Sequence, residues 1–392
     1  MNKHPNPAAM IVESARTIYG AGPIPLHRPV FEGNERRYLV ECIDSNFVSS
    51  VGARVTEFEK RTAEYVGSRF AIATANGTAA LHVALMLAGA ARDTEVITQA
   101  VTFIATCNAL CYIGAKPVFV DVELDTMGMS PEALSDWLDS AAERTGDGPR
   151  NRRTGRRIAA CVPMHTFGHP CRIEAIAEVC AKWNLPLVED AAESLGSRVG
   201  SRHTGTFGCM AALSYNGNKI ITTGGGGMII TDDPVIAARA KHVTTTAKVP
   251  HPYEFVHDEV GYNYRLPNLN AALGCAQMER LDEMLRIKQS VADRYSSMFA
   301  GSPVRFFQSR EGVTPNHWLN AVFASDLAER DEILRQTNAE GVMTRPIWRL
   351  MPSLRMFADA ETDGLRNSRW LEERVVNVPS SVPDDAMQRT NR

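Results

Sequence analysis

The amino-acid sequence predicts an α/β protein: a large domain on a mostly parallel sheet flanked by helices, then a small C-terminal α+β domain. Three observations carry this. From residue 55 to about 290, short β-branched apolar runs alternate with longer stretches of helical period, the pattern of strand–helix–strand units. From about Pro303 the character changes to a strand-like run, a helix and a glycine stop. The length of 392 residues, 44% of them apolar, leaves room for two cores at about 100 to 200 residues per domain.

Taken in order, the first fifty residues read as an arm and helices packed on the large domain. Arg69 to Thr74 is strand-like and leads through Asn76-Gly77-Thr78 into an apolar helix from Ala79. Glu95 to Thr98 is followed by a helical run from Ile104 to Ile113, and Pro117 to Val120 ends in Asp121. Arg157 to Pro163 precedes a helix from Cys171 to Trp183; Leu185 to Val188 ends at Glu189-Asp190; Met228 to Thr231 follows four glycines. Asn268 to Leu285 reads as one long amphipathic helix. The small domain then supplies a strand at Trp318 to Ala324 and a helix from Leu327 to Glu340, stopped by Gly341. The division expected is 1–294 and 295–392.

Composition narrows the function. A net charge of -3 argues against a nucleic-acid partner, and the basic run Arg150 to Arg157, broken by Asn151, Thr154 and Gly155, reads as a solvated loop. No run reaches the ~20 apolar residues of a membrane span, and the N-terminus lacks a signal peptide's features, so a cytoplasmic protein with no membrane partner is expected. The eight cysteines are scattered without a CxxC pair, which points to free thiols and to no metal site.

Chemistry concentrates in three places. In the turn Thr74 to Ala80, Gly77 lets backbone approach a ligand, and the next helix's free N–H groups, with the Thr78 hydroxyl, suit a phosphate; a plain helix start is the alternative. Asp190 closes an apolar strand, where α/β sheets bind ligands, although a helix cap reads equally well from that residue alone. Lys219 stands just ahead of Gly224 to Gly227, a run costly to order unless something bulky must come close to the backbone. Neither a P-loop nor a dinucleotide fingerprint fits, because a strand follows these glycines. A phosphate turn, a carboxylate and a lysine in that order suit pyridoxal phosphate, which needs a helix N-terminus, a partner for its ring nitrogen and a Schiff-base lysine.

With these residues in view, the chain resembles the DegT/DnrJ/EryC1/StrS family of pyridoxal-phosphate-dependent nucleotide-sugar aminotransferases, from about Ile24 to the C-terminal region. The resemblance rests on Gly52 to Glu59, Asn76 to Leu81, Val101 to Thr106, Val188 to Glu193, Ser214 to Gly227 and Gly261 to Arg265. The NGNKIITTGGGG wording and Asn316-His317-Trp318 look most like the branch acting at C4 in legionaminic acid and bacillosamine-type sugars. The family implies fold type I, aspartate aminotransferase-like, a homodimer with shared active sites, and L-glutamate and a nucleotide-sugar as substrates. The branch implies a UDP-linked 2-acetamido-4-keto-6-deoxy-hexose aminated at C4, for bacterial surface-glycan or nonulosonic acid biosynthesis.

Carried over position by position, the resemblance implies that Lys219 binds the cofactor and shuttles the proton, and that Asp190 pairs with the ring nitrogen. Gly77, Thr78 and Ser214 would hold the phosphate, joined by Asn263 from the other subunit. Phe103 and Ala192 would flank the ring, and Glu193 would sit near its phenolic oxygen, where many relatives carry Gln or His. His317, Arg265 and Tyr264 are the candidate substrate residues. Two other readings stay open: a sugar dehydratase of the same family, in whose branch histidine replaces the lysine that stands here as Lys219, and a non-catalytic regulatory member.

Overall fold

A computed structural model of the chain describes residues 6–384 and 386. Helix α1 (Pro7–Tyr19) opens where the Asn6 side chain accepts the Ala8 N–H at 3.0 Å and closes at Gly20, φ 84°. Helices α2 (Glu35–Asp44) and α3 (Ala53–Val66) precede the main sheet. Then follow β1 (Phe70–Thr74), α4 (Gly77–Leu87), β2 (Glu95–Gln99), α5 (Ile104–Ile113), β3 (Lys116–Val120), α6 (Pro131–Ala141), β4 (Ile158–Val162), α7 (Ile173–Lys182), β5 (Val188–Asp190), β6 (Met210–Ser214), β7 (Gly227–Thr231) and α8 (Pro234–Thr244).

The main sheet runs β1-β7-β6-β5-β4-β2-β3, with parallel bridges Cys161 to Leu187 and Met164 to Asp190 joining β4 to β5. Only β7 runs against its neighbours, pairing antiparallel with β1 and β6; every other pairing is parallel. Its inner strands β2, β4 and β7 are buried throughout, as a sheet covered on both faces by helices requires, and polar side chains sit chiefly at strand ends, as Glu95 and Gln99 do on β2. Because β7 is reversed, its first residue, Gly227, lies level with Thr74 and Ser214 at the carboxyl ends of β1 and β6. That edge also carries Asp190.

Beyond the sheet come α9 (Asn268–Met278), α10 (Leu281–Phe299), β8 (Arg305–Phe306), β9 (Asn320–Phe323), α11 (Leu327–Ala339), β10 (Arg345–Pro346), β11 (Glu361–Thr362), α12 (Arg366–Glu372) and β12 (Val375–Val378). A second, antiparallel sheet has the order β8-β9-β12-β10, and β11 returns to the main sheet as a parallel edge strand on β3. Among the described residues, no helix is long and apolar enough to cross a membrane.

Several expectations are corrected here. The helix expected from Asn268 to Leu285 is two, broken at Glu279 and Arg280. The division at residue 295 falls inside α10, whose Tyr295 is buried under the second sheet. Helix α1 packs not on the large domain but with α10 and α11, sharing one core through Ala8, Ile11, Val291 and Ile333. The run Arg150 to Arg157 is no free loop: its start forms a hairpin, buried Asn151 donates to Glu95 and Glu361, and Arg153 lies 2.7 Å from Glu361.

Candidate active site

At the carboxyl edge of the main sheet lies a cavity of about 700 Å³. Three local features build its floor. Asn76 caps α4, its side chain accepting the Ala79 N–H at 2.8 Å, which leaves the first-turn N–H groups of Gly77 and Thr78 for a ligand. A Cβ on Gly77 would lie 2.9 Å from Ser214 Cβ, so glycine keeps the turn and β6 in contact. A Cβ on Gly227 would strike the Asn76 carbonyl carbon at 2.4 Å. These glycines let three strand ends converge around an anion-sized cradle.

Asp190 ends β5 and is 2% exposed. Burial pushes its carboxyl up, opposed by Thr106 Oγ1 donating to Oδ2 at 2.6 Å and the Ala192 N–H donating to Oδ1 at 3.2 Å. A buried carboxylate lining a cavity calls for a cation or a protonated nitrogen beside it. Behind it, His165 Nε2 lies 3.0 Å from Glu189 Oε2, and Glu189 also accepts the N–H groups of Gly205, Phe207 and Gly208.

Lys219 follows β6 on a tight turn, its N–H donating to the Asn216 carbonyl. Its Nζ lies 3.2 Å from Glu193 Oε1 and 3.9 Å from the centre of the Trp318 ring. Burial pushes the Glu193 carboxyl up to about 7, and Lys219 and the Phe167 N–H, which donates at 2.9 Å, oppose that rise. Phe103, 48% exposed and 6.2 Å from Trp348 between ring centres, presents an aromatic face to the cavity. Arg345, Trp348 and Arg349 line the mouth.

Gly77, Thr78, Phe103, Asp190, Ala192, Glu193, Ser214 and Lys219 therefore all border one space. The donor set fits pyridoxal phosphate: a glycine-lined helix start for the phosphate, a buried carboxylate for the ring nitrogen, an aromatic face for the ring and an amine within the same cavity.

Four of the expected residues do not line this chain's own cavity. His317 does not line the cavity: it takes φ 49°, and its ring packs against His169 with Nε2 3.1 Å from Gln289 Oε1, because its neighbour Trp318 takes the inward position. Tyr264 hydrogen-bonds His82 at 3.1 Å and stacks on Tyr262. Asn263 and Arg265 are exposed, bonded to each other at 3.0 Å, and border no part of their own chain's cavity. Sequence reasoning missed Thr106, although it lies one helical turn beyond Phe103, and missed the roles of Trp318 and Trp348, for which spacing gives no signal.

Fold and site together define a pyridoxal-phosphate enzyme. The chain matches the DegT/DnrJ/EryC1/StrS aminotransferase family over residues 30–388, and it belongs to that family. It is 32% identical over 360 residues to the GDP-perosamine synthase of Vibrio cholerae, covering 91% of this chain and 94% of that one. Among solved structures it resembles the aminotransferase TlmJ from Streptoalloteichus hindustanus, with 26% identity, TM-score 0.84 and coverage of 94% and 96%. DesI in the presence of its TDP-sugar product gives 26% identity, TM-score 0.81 and coverage of 95% and 92%. The protein is a pyridoxal-phosphate-dependent sugar aminotransferase.

Proposed function

We propose that the protein transfers the amino group of L-glutamate to a nucleotide-linked keto-sugar at C4, in two half reactions at this one cavity. The observation that carries the reading is the convergence of Asp190, Lys219 and the Gly77 turn on one space. Bound there, the cofactor supplies an electron sink that makes the carbon bearing the transferred amine acidic. The Gly77 and Thr78 N–H groups and the Ser214 hydroxyl would hold its phosphate, and Phe103 and Ala192 would flank its ring. Asp190, whose ionised form Thr106 and Ala192 favour against burial, would accept the ring N–H and favour the protonated nitrogen. Lys219 Nζ moves the proton from carbon to carbon once its amine is free. Every position that the dehydratase or a non-catalytic member would lack is filled, Lys219 above all.

The branch resemblance suggests a UDP-linked 2-acetamido sugar, whereas the Vibrio cholerae relative is named for a GDP-linked one and DesI for a TDP-linked one. The cavity lining supports any of them, since it includes Arg345 and Arg349, cations that suit a diphosphate, and the aromatic Trp348. Of the three carriers we favour GDP, on the higher identity of that relative. The test is product formation from L-glutamate with UDP-, GDP- and dTDP-linked 4-keto-6-deoxy sugars; amination of none, by a protein that does react with glutamate, refutes the substrate class.

A homodimer with shared sites is part of this reading. Asn263 and Arg265 are exposed and do not line their own cavity, and Phe47, Val51, Tyr253, Phe255 and Val260 are exposed apolar side chains that a second copy would cover. Light scattering tests it, and a fully active monomer contradicts it.

A further inference from the structure

Lys219 must leave the cofactor and act as a free amine during each half reaction, and the structure contains a place built for that amine. Its two walls are Glu193, with Oε1 at 3.2 Å, and the face of Trp318, with its centre at 3.9 Å. Both walls are fixed from behind. The Trp318 N–H donates to Asn316 Oδ1 at 2.8 Å, and its carbonyl accepts from Lys288 Nζ at 3.1 Å. Its indole N–H donates to the carbonyl of Asn218, the residue before Lys219, at 2.6 Å. The second oxygen of Glu193 is held by the Phe167 N–H, which turns Oε1 toward the amine. The indole thus grips the lysine twice, through the backbone ahead of it and through its charge.

We propose that Trp318 and Glu193 form a resting place that holds the released Lys219 amine as an ammonium, and that this pair sets the pH at which Lys219 becomes a base. An aromatic face and a carboxylate both favour the charged form of an amine. Asp190 on β5 and His27 on the arm interact with Lys219, Lys288 on α10 interacts with His27, and Arg330, Arg345, Arg349 and Glu372 line the same cavity. Burial, then Lys288 and Lys219, hold His27 well below the usual histidine range, and burial pushes Lys288 down to about 7, so the charges holding the ammonium come from the carboxylates. Trp318 is a positioning residue here, acting through Lys219. The inference rests on the proposed role of Lys219.

The test uses the full-length protein freed of cofactor, trace-labelled with acetic anhydride across a pH range, with the Lys219 peptide quantified by mass spectrometry. Lys60, an exposed lysine on α3, serves as reference. The readout is the pH midpoint of labelling, which mere accessibility does not move. Trp318→Leu is expected to lower the midpoint, giving roughly threefold or more free amine at a given pH below it. Trp318→Phe, which keeps a ring face, stays near the wild type, and Glu193→Gln moves the midpoint the same way as Trp318→Leu. A Trp318→Leu midpoint equal to that of the wild type, or a Trp318→Phe shift as large as that of Trp318→Leu, overturns the proposal. If circular dichroism shows that Trp318→Leu does not fold, Glu193→Gln decides, and an unmoved midpoint there overturns it. Failure of the wild type to bind pyridoxal phosphate sinks the functional reading instead and leaves the labelling comparison standing.

Discussion

The Thr106 hydroxyl donates a 2.6 Å hydrogen bond to Oδ2 of Asp190, joining the start of α5 to the end of β5. It favours the ionised carboxylate against the burial that pushes Asp190 up. Thr106→Val keeps the shape and removes the donor. Pyridoxal phosphate should then bind about 10- to 150-fold more weakly in spectroscopic titration, the loss of about 1.5 to 3 kcal/mol expected of a bond to a charged group. Unchanged affinity would mean that Asp190 does not depend on this bond.

Replacing the carboxylate itself should affect chemistry more than fold. Asp190→Asn preserves volume but leaves the ring nitrogen without an anionic partner. The half reaction with L-glutamate, followed by stopped flow, is expected to slow by on the order of 100-fold or more, with the thermal melt of the cofactor-free protein little changed. A rate near that of the wild type would remove Asp190 from the electron-sink role.

The glycine run makes a backbone prediction. Gly227→Ala forces a methyl group into the Asn76 carbonyl and the Gly77 nitrogen, 2.4 and 2.7 Å away, atoms that cannot step aside. It should cost roughly 1 to 3 kcal/mol in urea unfolding. Gly217→Ala, whose Cβ meets nothing nearer than 3.9 Å, should be close to neutral. Equal costs for the two would show that the convergence of strand ends is looser than described.

Much of this was legible in sequence because it depends on local chemistry. The Asn76 cap, the glycine at the α4 start and the acidic strand end follow from nearest neighbours in the chain, and so do β1 to β4 and α5, each found within a residue or two. What was not legible depends on pairs far apart. The pairing of the strand that Asp190 ends is one such case, since its partners, Met164 and Ala212, are distant in the chain. His317 and Trp318 are neighbours of which one faces the cavity, and the positive φ at His317 decides which. Residues 361 and 362 join the main sheet because β3 offers a free edge, which no periodicity in a two-residue strand can announce.

Lys288 gives a pH prediction. Its Nζ is fully buried and donates to the carbonyls of Trp318 and Ser380, two acceptors for the two N–H bonds of a neutral amine. Burial lowers it from 10.5 to about 7, so between those values the unfolded chain binds the extra proton. Stability should therefore rise with pH from about 7 toward 10.5 by up to about 1.4 kcal/mol per unit from this group. It should be lost as pH falls toward 7. Lys288→Met should flatten that slope in urea unfolding at pH 7 and pH 9, and an identical slope would mean that the buried amine is charged.

The central claim is that Lys219 and Asp190 operate one bound cofactor with glutamate as donor, and an absorbance spectrum of the purified protein before and after adding L-glutamate tests it most directly. The account predicts a visible band from lysine-linked pyridoxal phosphate that gives way to an ultraviolet band on adding glutamate, and no such visible band in Lys219→Ala. A protein that shows no band even after pyridoxal phosphate is supplied, or a Lys219→Ala variant that turns over like the wild type, would contradict it.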